Sequence, residues 1–200
     1  MTQIHRTLAV IAATLGCAAA LADRQPAGDA AHLATEIDAE RDHISALELA
    51  ERIMHHDSTL RIFDLRSSAE FEQFHIPSAS PITIRDLTNQ SLPRDASIVL
   101  YSEGGAHAAQ AWVLLRMRGY AKVYFLREGI YEWNARVFEP KLATDATPAE
   151  RAEFERAAEL SRYFGGVPRS GVSRSELPAG YWTAAPEAKP RTEKIRRRGC

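Results

Sequence analysis

Residues 97–107 read Ser97-Ile-Val-Leu-Tyr101-Ser-Glu-Gly-Gly-Ala-His107. Ile98 to Tyr101 is an unbroken apolar run with no polar residue at alternate positions. A strand of that kind is covered on both faces, as the inner strands of parallel sheets are. Two glycines follow, and then an Ala-rich stretch predicted as a helix from about His107 to Arg118, stopping at Gly119. A strand that passes through a short glycine turn into a helix is the unit of α/β folds, whose ligands gather at the carboxyl ends of the strands. Gly104 and Gly105 let the backbone curl, so that successive N–H groups and the helix N-terminus face one small concavity. Such a cradle favours an anion or a negatively polarised atom. The candidate binding residues are therefore Ser102, Glu103, Gly104, Gly105, Ala106 and His107.

Working outward, the same alternation continues. Ser45-Ala-Leu-Glu48 is a capping-box pattern, and Leu47, Leu49, Ile53 and Met54 form a helical apolar face. Arg61 to Leu65 reads as a short strand, and Ser67-Ser-Ala-Glu70 caps a second helix through Phe74. His75-Ile-Pro-Ser-Ala79 is a turn into an extended stretch through Ile84. Ala121 to Phe125 is the next strand, and Gly129 precedes a helix from Ile130 to Val137 before Pro140. Strands alternating with helices predict an α/β domain with a mostly parallel sheet. Beyond Pro140, Thr147-Pro148-Ala-Glu150 opens a helix expected over residues 148–164, ending at Gly165-Gly166. Its apolar face, Phe154, Ala157, Leu160 and Phe164, suits docking on the domain or on a partner. From Val167 onward the pattern predicts no regular element.

The chain has 200 residues, 45% hydrophobic and 26% charged, with a net charge of −1. That suits one medium domain with extensions or at most two very small domains, fits neither a polytopic membrane protein nor a wholly disordered chain, and argues against a whole-chain nucleic-acid binder. Two cysteines build neither a disulfide scaffold nor a four-cysteine zinc site, and no cofactor or metal is expected. Residues 1–22 read as a secretory signal: Arg6 is followed by an uncharged stretch from Leu8 to Leu21 and the small residues Ala20 and Ala22. The expected location is the periplasm or outside the cell, an uncleaved anchor or a Cys17 lipoprotein being the alternatives. Cleavage after Ala22 leaves Cys200 as the sole thiol of the mature chain, open to a Cys200-linked dimer. Residues 23–43 read as a polar linker with a helical tendency in its later half. The stretch from Lys189 to Cys200 carries six cationic residues against Glu193. It reads as a solvated end, or as a contact for anionic lipid headgroups at the membrane periphery or for an acidic protein partner.

Taken together, Ile62-Phe-Asp64-Leu-Arg66, Glu70-Phe71, His75-Ile-Pro77-Ser-Ala79 and Val99-Leu-Tyr101 resemble a single rhodanese-like, sulfurtransferase-type domain. So do Ala111 to Leu115, Gly119-Tyr120, Val123-Tyr124, Leu126-Arg-Glu-Gly129-Ile130 and Trp133. The resemblance spans residues 44–140, with residues 141–200 as a C-terminal extension. It implies an open five-stranded parallel sheet flanked by helices on both faces. It also implies a catalytic cysteine directly after the central strand, in a six-residue loop that often ends in arginine. Here those positions hold Ser102 and His107. A thiolate stores sulfur as a persulfide; a serine hydroxyl is far less acidic and has no comparable state. Histidine does not reproduce the planar fork of arginine on an oxyanion.

Three chemistries stay open at this loop, and no residue is assigned a catalytic role. The pocket has lost its chemistry and now binds a small anion or a protein, or serves as a scaffold. Alternatively it receives a thiol from elsewhere, Cys200 being the candidate for sulfur transfer or thiol redox work. Or Ser102 and His107 form a hydrolase dyad oriented by Asp64 or Glu103. Arg127 and Glu128 follow the strand ending at Phe125, and Arg127 is expected to rim the same pocket. Asp64 and Arg66 are expected to pair or to hold loops, His75 to satisfy a turn, and Trp133 to pack the last helix. His55-His56-Asp57 reads as a solvated cluster rather than a metal site.

Overall fold

The computed structural model describes residues 30–182. Helix α1 (Ala30–Asp38) leads into β1 (His43–Ile44), α2 (Ala46–Met54), β2 (Leu60–Asp64) and α3 (Ser68–Gln73). Then come β3 (Ala79–Pro81), α4 (Ile84–Asn89), β4 (Ser97–Tyr101), α5 (Ala106–Met117), β5 (Val123–Leu126) and α6 (Gly129–Trp133). Helix α6 continues as a π-helical turn over Asn134–Phe138. The extension adds β6 (Lys141–Ala143), α7 (Pro148–Tyr163), β7 (Arg169–Val172) and a 3-10 turn at Arg174–Glu176.

Five strands form one parallel sheet in the order β1-β5-β4-β2-β3. Strand β4 lies at its centre with all five residues buried, which is why no polar residue interrupts the run. Its side chains alternate between two cores. Val99 and Tyr101 join Ile62, Leu47, Ile53, Trp133, Phe154 and Leu160 on one face. Ile98 and Leu100 join Phe63, Leu87, Trp112 and Leu115 on the other. The five-stranded parallel sheet with helices on both faces is the architecture expected from the sequence.

The local signals explain most boundaries. Ser45, Ser67 and Thr147 cap α2, α3 and α7 through their hydroxyls, the last two as full capping boxes. Helix α4 begins at Ile84, where the expected extended stretch ends, and no helix was expected there. Its signal is Thr83, whose hydroxyl accepts from the Asp86 N–H, a short cap not followed by a long apolar face. Residues 30–38, read as the later half of a tether, form α1. Its Leu33 is buried in the second core, and its Glu36 pairs with buried Arg116 at 2.7 Å. Past Val167, β7 pairs in parallel with β6, and the Trp182 indole N–H donates to the Lys141 carbonyl at 2.8 Å. Neither was expected, because a four-residue strand whose side chains are mostly exposed carries no periodicity to read.

Helix α7 lies on the domain rather than standing free. Phe154, Ala157 and Leu160 share the first core with α2 and with Trp133 of α6. Gly166 clinches the junction: its N–H donates to Ser161, Val167 N–H donates to the Phe138 carbonyl, and a Cβ at Gly166 would overlap that carbonyl. Residues 1–29 and 183–200, and with them the expected signal segment, Cys17, the basic tail and Cys200, lie outside the described residues. No helix among the described residues is long and apolar enough to cross a membrane.

Candidate functional site

The loop Ser102–Gly105 joins the end of β4 to the start of α5. Gly105 is the N-cap residue and sits in the left-handed region at φ 87°, a conformation that favours glycine. A Cβ there would overlap the carbonyl oxygen of Arg127. The neighbouring turn after β5 answers in kind. Gly129, at φ 56°, is so close to the Ser102 carbonyl that it tolerates no Cβ, and the Ile130 N–H donates to that carbonyl at 2.9 Å. The two strand-to-helix turns are thus locked backbone to backbone, with a glycine on each side.

This packing turns Ser102 inward. The residue is 3% exposed, and its hydroxyl is buried with no hydrogen-bond partner among the described residues. A buried polar atom left unpaired is uncommon in a folded protein. Glu103, Gly104, Ala106 and His107 are exposed. The N–H groups of Glu103, Gly104 and Gly105 donate to no acceptor among the described residues. The first-turn N–H groups of α5 have no intrahelical acceptor either, so an anion-seeking set of donors is present. The acidic side chain of the loop, Glu103, carries the opposite sign. Glu103 accepts from the Tyr131 hydroxyl of α6, and that bond holds the tyrosine's pKa above its usual value. Tyr131 was not singled out by sequence. It follows Gly129 by two residues, and only the turn-to-turn contact brings it to Glu103.

The other candidates scatter. Arg127 offers its backbone to the loop, but its side chain turns away, donating to His43 Nε2 at 2.5 Å and lying 3.6 Å from Glu40. His43 in turn bonds Asp42 through Nδ1 at 2.8 Å. Asp64, fully buried, receives the Arg66 backbone N–H at 2.9 Å and its guanidinium at 2.6 Å. Arg66 also donates to the Phe74 carbonyl at 2.6 Å, tying the end of β2 to the segment after α3. Burial, then the Asp64 carboxylate beside it, push the Tyr101 phenol far up, so that it stays protonated. Asp64 is therefore committed to Arg66 and Tyr101 and orients nothing at Ser102. With the Ser102 hydroxyl unpartnered and His107 exposed, no serine–histidine dyad is assembled. His75 bonds the Phe71 carbonyl and stacks on its ring, while Trp133 is fully buried. Asp57 accepts from Thr59 and from Arg52, and no metal-ligating cluster occurs among the described residues.

Comparison with known proteins places this architecture. Residues 45–136 match the family model described as a rhodanese-like domain. A protein named sulfurtransferase from Allochromatium vinosum is 33% identical over 92 residues, covering 45% of this chain and 85% of that protein. Among solved structures, a rhodanese-like domain from Anabaena sp. is 28% identical with a TM-score of 0.43, covering 46% of this chain and 73% of that one. A human single-domain sulfurtransferase is 25% identical with a TM-score of 0.41, covering 46% and 94%. On the sequence matches, the chain belongs to the rhodanese-like family.

Proposed function

We propose that this chain is an exported rhodanese-like protein that does not carry out persulfide sulfur transfer at its central loop. It acts instead as a binding or scaffold module through that loop. The observation that carries this reading is Ser102: it stands where the family's resemblance implies the sulfur-carrying cysteine, and its hydroxyl is buried and unpartnered among the described residues. A hydroxyl there stays protonated at neutral pH and forms no persulfide. The loop side chains support the same conclusion. Glu103 is the charged residue of the Ser102–His107 segment, apart from His107 itself, and its carboxylate repels an incoming thiosulfate rather than clamping it. What the loop retains is its unpaired N–H groups, which suit a small anion or a backbone or side-chain carbonyl of a partner.

The test is intact-mass analysis of the signal-cleaved protein after incubation with thiosulfate, alongside Ser102→Cys and Cys200→Ser. The expected result is no added sulfur in the unaltered chain and a slow gain of one cyanide-labile sulfur atom in Ser102→Cys, whose thiol restores the nucleophile while Glu103 still repels thiosulfate. A sulfur atom gained by the unaltered chain and lost in Cys200→Ser overturns the proposal in favour of transfer through Cys200. Cleavage at residue 22 is read from the mass of protein recovered from the periplasm or medium; retention of residues 1–22 refutes export by a cleaved signal.

A further inference from the structure

Beside the Ser102 loop, a cleft of about 610 Å³ opens between the sheet's β1–β5 edge and the C-terminal extension. Its walls come from the turn before α2, from the Arg127–Glu128 turn, from α6 and α7, and from Pro178–Tyr181. The family match ends at residue 136, so this cleft is completed by chain that lies outside the matched domain. Its charges are unbalanced. Each arginine in the wall already has a partner: Arg127 lies against His43 and Glu40, and Arg156 holds Glu51 at 2.5 Å. Arg136 lies 3.9 Å from Glu153 and packs over the rings of Tyr181 and Trp182. Among the described residues, no cationic nitrogen lies within ion-pair distance of Glu48, Glu128 or Glu132, which share the wall. Two buried atoms also find no partner among the described residues, Glu132 Oε2 as an acceptor and Arg136 Nε as a donor.

A cationic peptide supplies both complements, a positively charged side chain for the carboxylates and a backbone carbonyl for the guanidinium. The described chain stops at Trp182, directly after the cleft's own wall residue Tyr181. The sequence beyond it carries Lys189, Arg191, Lys194, Arg196, Arg197 and Arg198 against Glu187 and Glu193. The seven residues from Trp182 to Lys189 reach up to about 23 Å when extended. We propose that this cleft is the docking site of the protein's own basic segment, residues 189–198. The inference rests on the cleft and its charge, and stands apart from the chemistry of Ser102. Burial raises the pKa of Glu132, and a docked cation beside it acts in the opposite direction, favouring the ionised form.

The full mature chain tests this in two measurements. Carbodiimide coupling joins lysine amines to carboxylates in contact, and a mixture of isotope-labelled and unlabelled protein separates couplings within a chain from those between chains. Lys189 and Lys194 are expected to couple within one chain to Glu48 and Glu128. Amide exchange over residues 189–198 is expected to be about fivefold or more slower in the unaltered chain than in Glu48→Gln/Glu128→Gln, both exposed sites, and the difference to vanish near ~0.5 M salt. Exchange at equal rates in the two proteins overturns the proposal. So does coupling to carboxylates outside the cleft, such as Glu72 and Asp95, or coupling between chains alone, which would place the segment on a second copy.

Discussion

Replacing Gly105 by alanine tests whether the candidate loop is held by backbone contact. Two costs are separable. The first is conformational: Gly105 lies at φ 87°, and a side chain in the left-handed region costs about 1–2 kcal/mol. The second is steric. The new Cβ meets the Arg127 carbonyl and lies 3.0 Å from the Leu126 carbonyl oxygen, both backbone atoms at the end of β5 that no rotamer change can remove. Forcing the two turns apart costs about 1–3 kcal/mol as overpacking. It also strains the 2.9 Å bond from Ile130 N–H to the Ser102 carbonyl, worth about 1 kcal/mol. Gly165 supplies the control, since it has φ 75° with nothing within 4 Å of where a Cβ would stand. Gly165→Ala is expected to lose about 1–2 kcal/mol and Gly105→Ala about 3–6 kcal/mol, read from urea unfolding at constant slope. Gly104→Ala, with open space and no positive φ, is expected to change stability by less than about 0.5 kcal/mol. A Gly105→Ala loss within about 1 kcal/mol of the Gly165→Ala loss would refute the backbone lock.

Three further outcomes are expected. A chain ending at Pro140 uncovers Leu47, Ile53, Trp133 and Val137 and is expected to aggregate or bind hydrophobic dyes; a soluble product with a cooperative urea transition would show that α7 is dispensable. Arg66→Met leaves the fully buried Asp64 without its partner and is expected to cost about 3–5 kcal/mol, with the Asp64→Asn/Arg66→Met pair costing less; equal losses would mean that the ion pair itself is not the determinant. Burial raises the pKa of Glu132 from 4.5, so the folded state holds that proton more tightly than the unfolded state. The stability this contributes is present at acid pH and lost as pH rises from the unfolded carboxylate range through the folded pKa. Glu132→Gln, which keeps an acceptor for the Ala46 N–H, is therefore expected to gain stability relative to the unaltered chain as pH is raised, and parallel profiles would contradict that sign.

The sheet was legible because its signals are local. The unbroken apolar run Ile98 to Tyr101 announces a strand covered on both sides, and Ser45, Ser67 and Thr147 mark helix starts through bonds spanning three residues. Strand β1 escaped, since two residues that owe their place to pairing with Phe125 and Leu126 carry no pattern of their own. Helix α1 was read only as a helical tendency, because its tie to the domain is Leu33 and the Glu36–Arg116 pair, about eighty residues away in the chain. At the loop, residue identities were visible but directions were not. Arg127 lies in the expected turn while its side chain faces His43, and Tyr131 covers Glu103 because Gly129 lets the second turn approach.

By itself the sequence determined the α/β alternation, the position of the glycine loop after the central strand, and the presence of a hydroxyl rather than a thiol at residue 102. These follow from periodicity, capping and chemistry that each residue carries wherever the chain goes. The tertiary structure decided that the Ser102 hydroxyl is turned inward without a partner among the described residues, that Asp64 is spent on Arg66, and that the extension is part of the core. It also decided that the extension and the domain together wall a cleft whose Glu48, Glu128 and Glu132 have no ion-pair partner among the described residues. Those outcomes depend on which distant backbones approach closely enough to exclude a Cβ or leave a polar atom stranded. That distance is settled only when both cores are packed.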